Sequence, residues 1–212
     1  MGELIGRISE ELQNGKAKVV RELVEEAVTA GISAKDILEK GLLAGMDIVA
    51  EKFKNNEVYV PEVLIAARAM NAGAEMLRPL LVEEGFEPKG TVVLGTVKGD
   101  LHDIGKNLVK MMLEGKGLEV IDLGVDVSAD DFIAKAKEHK AQIIACSALL
   151  TTTMSEMKDV VEKAEAEGIR GEIKIMIGGA PITQSFCESI GADFYTADAA
   201  SASDVALEIC TA

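Results

Sequence analysis

Tryptophan is absent, and aromatic residues make up only 3% of the chain. A surface that reads nucleic-acid bases by stacking is thereby excluded, and the interior has to be built from Val, Ile, Leu, Ala and Met. Positive charge is scarce too: 22 Lys and Arg face 36 Asp and Glu, a net charge of −14. Such a surface repels phosphate backbones and anionic lipid headgroups, so neither nucleic acid nor membrane is expected as a partner. Cysteine is limited to Cys146, Cys187 and Cys210, an odd number without C-x-x-C spacing. Neither a disulfide framework nor a thiolate metal site follows, and Cys146, inside an apolar run, reads as a buried inert thiol. No apolar stretch reaches membrane length, and the N-terminal MGELIGRISEELQNGK has no apolar signal core. A reduced, cytoplasmic protein is expected.

What is present falls into two halves with different periods. Residues 1–88 read as a four-helix bundle. Apolar residues recur at helical spacing over Leu4–Leu12 and from Val19 to Ala27, with Gly31 placed to end the second helix. Ser33 followed by Asp36 resembles an N-cap opening a helix to about Lys54, and Pro61 suits the first turn of another, to about Glu84. From Thr91 short β-rich runs alternate with amphipathic segments: Thr91–Val97, Leu118–Leu123, Gln142–Ser147, Ile173–Ile177 and Asp193–Tyr195. Five β-α units in sequence predict a flavodoxin-like or Rossmann-like α/β domain over residues 89–212, with a parallel five-stranded sheet. The stretch EGFEPKG, residues 84–90, reads as the linker.

In such folds ligands sit beyond the carboxyl ends of the strands, where the strand order reverses. If the order is 2-1-3-4-5, four unusual loops share one edge: GDLHDIG after the first strand, SALLTTT after the third, GGA after the fourth and YTADAA around the fifth. The loop after the second strand, GVDVS, reads as an ordinary helix start. Histidine occurs only twice. His139 falls at a helix end, where the dipole favours a cation and the role is structural. His102 lies in a strand-to-helix turn between Asp100 and Asp103, and a carboxylate on one ring nitrogen would orient the imidazole and raise the basicity of the other. The bland reading has Asp103 capping the helix and His102 solvated. No further His or Cys is placed to complete a zinc or iron site, so a lone protein ligand makes sense where a macrocycle, haem or corrin, supplies the rest.

These residues resemble a known signature. D-x-H-x-x-G at Asp100, His102 and Gly105, then S-x-L at Ser147 and Leu149, then G-G at Gly178 and Gly179, is similar to the cobalamin-binding domains of methionine synthase, methylmalonyl-type mutases and methyltransferase corrinoid proteins. The gaps of 41 residues from Gly105 to Ser147 and 28 from Leu149 to Gly178 fit that pattern. The resemblance implies cobalamin with its benzimidazole tail buried in the α/β domain and His102 as the lower axial ligand to cobalt. It implies that Gly105 lets the backbone pass close to the corrin, that Gly178 and Gly179 leave room for the tail, and that Ser147, Leu149 and Thr151 line the slot. Asp103, Tyr195 and Asp198 belong to the expected cofactor site, and Thr153 stands where a serine bonds the aspartate of the axial His–Asp pair. The bundle resembles the helical domain that precedes the cobalamin domain in methionine synthase and small corrinoid proteins, with Tyr59, Val63 and Met70 expected over the upper face.

The implied function is a methyl carrier, not catalytic on its own, working through methylcobalamin and cob(I)alamin. Its implied partners are a substrate:corrinoid methyltransferase, a second methyltransferase acting on tetrahydrofolate or a thiol, and a reductive activator. A cobalamin-dependent sensor would need an output module, and a mutase subunit a radical-generating barrel partner. A phosphorelay receiver would need Asp where Ser147 stands.

Overall fold

The computed structural model describes residues 2–212. These form two compact units, one running up to Pro88 with Gly115–Gly117 added, the other made of Lys89–Glu114 and Leu118–Ala212.

The first unit holds helices α1 (Gly2–Gln13), α2 (Ala17–Thr29), α3 (34–54) and α4 (Val60–Glu83). Gly31 ends α2 as expected, because at φ +78° its amide reaches the Val28 carbonyl and that of Ile32 the Ala27 carbonyl. Ser33 caps α3, its hydroxyl accepting the Asp36 amide at 3.1 Å. Glu62 reaches back to the Tyr59 amide at 3.0 Å and starts α4 alongside Pro61. One feature of α3 departs from the regular period. Between Ala34–Asp36 and Ala44–Lys54 the helix widens to a π-helical segment, Ile37–Leu43. Ile8, Leu12, Val20, Val24, Ile37 and Leu42 are wholly buried in this unit.

The second unit has strands β1 (Thr91–Thr96), β2 (Glu119–Asp122), β3 (Ile143–Ser147), β4 (Lys174–Gly178) and β5 (Phe194–Tyr195). Helices α5 (Ile104–Gly115), α6 (Ala129–Glu138), α7 (Ser155–Ala166), α8 (Gln184–Ile190) and α9 (Ala199–Thr211) follow them in turn, making nine helices among the described residues. All pairings are parallel, and the order is β2-β1-β3-β4-β5, the one expected. Order therefore reverses between β1 and β3.

The two faces of this sheet are packed differently. On one, Val93, Ile144, Ile175 and Ile177 meet Phe132, Ile133, Met157, Val160 and Val161 from α6 and α7. Cys146 joins that face, wholly enclosed, and burial pushes its thiol up out of the reactive range. On the other, Val92, Leu94, Ala145 and Met176 meet Leu113 of α5 and Ala202 and Ala206 of α9. Large side chains fill the first face. Alanines leave room in the second.

Candidate cofactor site

After β1 the chain turns through Gly99, at φ +77°, and delivers Asp100 into the interior with no exposed surface. Five groups converge on its carboxylate. Oδ1 accepts from His102 Nδ1 at 2.7 Å and from the His102 amide at 3.1 Å. Oδ2 accepts from the amides of Leu149 and Leu150 at 2.8 and 3.1 Å and from Thr153 Oγ1 at 2.9 Å. Burial alone would raise the pKa of this carboxyl, but the Leu149 amide, the His102 ring and amide and the Leu150 amide outweigh it. Asp100 is held well below the usual carboxylate range. An ionised Asp100 fixes the proton on Nδ1 and leaves Nε2 of His102 with a free lone pair, on a side chain 51% exposed.

The turn is held from below by residues the sequence reading passed over. Buried Thr96 donates through Oγ1 to the His102 carbonyl at 2.9 Å. Asp126, at φ +56°, accepts the Gly99 amide at 2.7 Å and donates its own amide to the Asp100 carbonyl at 3.0 Å. The loop after β2 is therefore more than a helix start. Asp103 has no contact with the imidazole; it bonds Asn107, through both its carbonyl and its carboxylate, at the start of α5. Lys106 is 2% exposed and pairs with Asp122 at the end of β2, at 2.6 Å.

Beside this turn, on the loosely packed face, lies a cavity of about 360 Å³ that opens at the carboxyl ends of β1, β3 and β4. Gly105, Ser147, Gly178, Gly179, Tyr195 and Asp198 all border it. The three glycines serve different ends. A Cβ on Gly105 would meet nothing, and one on Gly178 only the Thr196 carbonyl at 3.8 Å, so both leave open space. A Cβ on Gly179 would run into the Ala148 carbonyl oxygen, and its φ is +138°, so the backbone itself demands glycine there. Asp198 caps α9, accepting the Ser201 amide at 2.8 Å. Leu149 and Thr151 do not line the cavity. Leu149 contributes its amide to Asp100, and its side chain, like Thr151, faces solvent.

In the helical unit, Val63 and Met70 are buried on one stripe of α4 with Ala66, Gly73 and Leu77. A Cβ on Gly73 would meet Leu42 and Val20, which turns this stripe inward to the bundle. Tyr59 is 64% exposed at the start of α4. His139 sits at the end of α6, as expected.

No group of three or more His, Cys, Asp or Glu side chains among the described residues could hold a metal ion. A single oriented imidazole, a neighbouring hollow and glycines that leave its mouth open fit a metal carried by a macrocycle with a buried tail. A B12 binding domain model matches residues 90–206, and a second B12 binding domain model matches residues 4–78.

The chain belongs to the B12-binding corrinoid proteins.

Among corrinoid proteins it is 45% identical to trimethylamine corrinoid protein 1 of Methanosarcina acetivorans over 195 residues, covering 91% of this chain and 90% of the relative. It is 38% identical to a corrinoid protein of Desulfitobacterium hafniense, covering 97% of each. Its structure is similar to the methanol:cobalamin methyltransferase complex of Methanosarcina barkeri, with a TM-score of 0.89 at 33% identity over 98% of this chain and 80% of that one. The Asp, His, Ser and Gly positions of the sequence motifs are the ones the fold brings to one edge.

Proposed function

We propose that the chain carries a methyl group between two methyltransferases, one that loads its cofactor and one that unloads it. The observation that carries this reading is the buried Asp100 carboxylate, which leaves His102 Nε2 free beside a hollow at the strand ends. Bound cobalamin supplies a cobalt that takes up and gives back a methyl group, and the protein supplies binding, orientation and shielding.

Asp100 keeps the proton on Nδ1, so the imidazole presents a lone pair to the metal, and Thr153 with the Leu149 and Leu150 amides keeps Asp100 ionised. Ser147 would hold the nucleotide base through its hydroxyl, and Gly105 and Gly178 leave the approach clear. Leu101, Ile104, Leu149 and Leu150 are exposed apolar side chains around His102. Such a rim suits the underside of a flat apolar ring system and keeps water from it. Of the three residues expected as a cap, Tyr59 is exposed, while Val63 and Met70 shape α4 from within the bundle.

The similarity to the methanol:cobalamin methyltransferase complex supports a methyltransferase as one partner, and the proposal adds the others. A substrate:corrinoid methyltransferase gives the methyl group, a second methyltransferase passes it to tetrahydrofolate or a thiol, and a reductive activator restores the cofactor. No helix among the described residues is long and apolar enough to cross a membrane, and three unpaired cysteines fit a reducing cytoplasm.

Electron paramagnetic resonance of the Co(II) form tests the ligand. Protein labelled with 15N-histidine should show coupling to a protein nitrogen, lost in His102→Ala. A labelled protein whose signal carries no such coupling overturns the assignment of His102.

A further inference from the structure

The hollow of the α/β unit is layered, and strand register makes the layers. Thr96, Ser147 and Gly178 pair in one row across β1, β3 and β4. Two residues earlier, Leu94, Ala145 and Met176 form the next row, and Val92, Ile143 and Lys174 the one beneath. Alternation along each strand puts these rows on the same face, about 7 Å apart.

The rows differ in chemistry. The upper one carries hydroxyls: that of Thr96 is committed to the His102 carbonyl, while Ser147 Oγ has no partner among the described residues. Lys174 is exposed and turned to Asp193 at 3.6 Å, outside the cavity, so the lower rows present only apolar side chains to it, and the facing wall continues apolar through Leu113 and Ala202. Of the other polar side chains on the border, Lys106 is engaged by Asn107 and Asp122 and Asp198 by Ser201, while Thr196, just past β5, brings a second hydroxyl to the level of Ser147 and Gly178. Tyr195 registers with Ile177, a residue of the opposite, filled face. A planar group entering from the strand ends therefore meets hydroxyls at the mouth and only hydrocarbon below.

We infer that this hollow selects among corrinoids by their nucleotide base. It takes a benzimidazole, whose single free ring nitrogen meets Ser147 and whose methyl groups lie on the Leu94–Ala145–Met176 row, and it discriminates against a purine. Adenine would carry an amino group and further ring nitrogens to rows that offer no hydrogen-bond partner, leaving them dehydrated and unpaired. An apolar pocket rejects such a group by about ten- to a hundredfold. The inference rests on the reading that the cofactor's tail enters this cavity.

Titration calorimetry of the apo-protein with three corrinoids of the same cobalt oxidation state and upper ligand tests it. The three are cobalamin, its analogue with adenine as the base, and cobinamide, which has no base. Cobalamin should bind tightest, the adenine analogue at least tenfold more weakly and cobinamide more weakly still. Equal affinity for cobalamin and the adenine analogue, with cobinamide weak, overturns the selectivity alone. Equal affinity for cobalamin and cobinamide overturns the tail's place in the cavity and the selectivity with it, and binding of none of the three overturns the cobalamin reading. In Met176→Gln, which puts an amide on the lower row, the preference for cobalamin should fall below threefold. An unchanged preference there overturns the role of that row.

Discussion

Asp126 Oδ1 accepts the Gly99 amide at 2.7 Å, from a loop that does not itself reach the imidazole. With the Asp126 amide on the Asp100 carbonyl, it clamps the turn on both sides of the residue that orients His102. A hydrogen bond to a charged group contributes roughly 1.5–3 kcal/mol. Asp126→Ala should therefore loosen the turn, weaken cobalamin binding by about tenfold or more and reduce the share of Co(II) showing protein-nitrogen coupling. Asp126→Asn keeps the acceptor and should keep the coupling. If the alanine variant retains full coupling and affinity, the clamp has no part in positioning His102.

Acid should act on the same turn through Asp100. Its carboxyl is held below the usual range in the folded protein despite the burial that opposes this. The ionised group thus contributes stability that is fully present above the unfolded-chain value of about 4 and is lost as pH falls through and below it. Asp100→Asn has no such titration. The difference in urea-unfolding free energy between parent and variant should hold between pH 6 and about pH 5 and shrink from there to pH 3. A difference independent of pH would mean that the fold does not lower the pKa of Asp100.

The glycines of the fourth strand's end separate binding from folding. Gly178→Val adds a side chain where only open space and a carbonyl at 3.8 Å are met, so the protein should fold, and cobalamin should fail to bind. Gly179→Ala meets the Ala148 carbonyl and a φ of +138°, so there the fold itself should suffer, with a clear loss of melting temperature. His102→Ala, whose place at cobalt water can take, should weaken binding less than Gly178→Val does. Parent-like affinity in Gly178→Val would move the tail away from this cavity.

Filling the hollow should trade binding for stability. Ala202→Leu places three more carbons against Leu94 and Met176 on the open face. The apo-protein should gain about 1 kcal/mol and melt a few degrees higher, as cavity-filling changes commonly do, while calorimetry detects no cobalamin binding. An unchanged melting temperature would show that the leucine does not enter the cavity.

Much of this was legible in the chain because the signals are local. The β-branched runs and the apolar periods between them mark all five strands and their helices, and D-x-H-x-x-G, S-x-L and G-G fall at the strand ends that meet at the switch point. What escaped depends on pairings distant in sequence. Lys106 and Lys110 look like a solvated helix face until Asp122, brought alongside by β1–β2 pairing, buries the first of them. Asp126 looks like part of a helix start because its partners lie 26 and 27 residues back. The S-x-L leucine marks the right segment, yet its part in the built turn is played by a backbone amide, which side-chain identity does not announce. The π-helical turn of α3 leaves no trace either, since Ile37, Leu38, Leu42 and Leu43 suit a regular helix as well.

The alanine-lined face ties the protein's lifetime to its cofactor. The hollow of about 360 Å³ opens to solvent and leaves its apolar lining wet in the apo-protein, and occupancy by a tight ligand adds stability in proportion to the logarithm of its concentration over Kd. Chains made in excess of corrinoid supply stay in the softer state, which opens more often to proteases. Filled and unfilled carrier should then differ in lifetime, the unfilled chain being the one that proteases remove first.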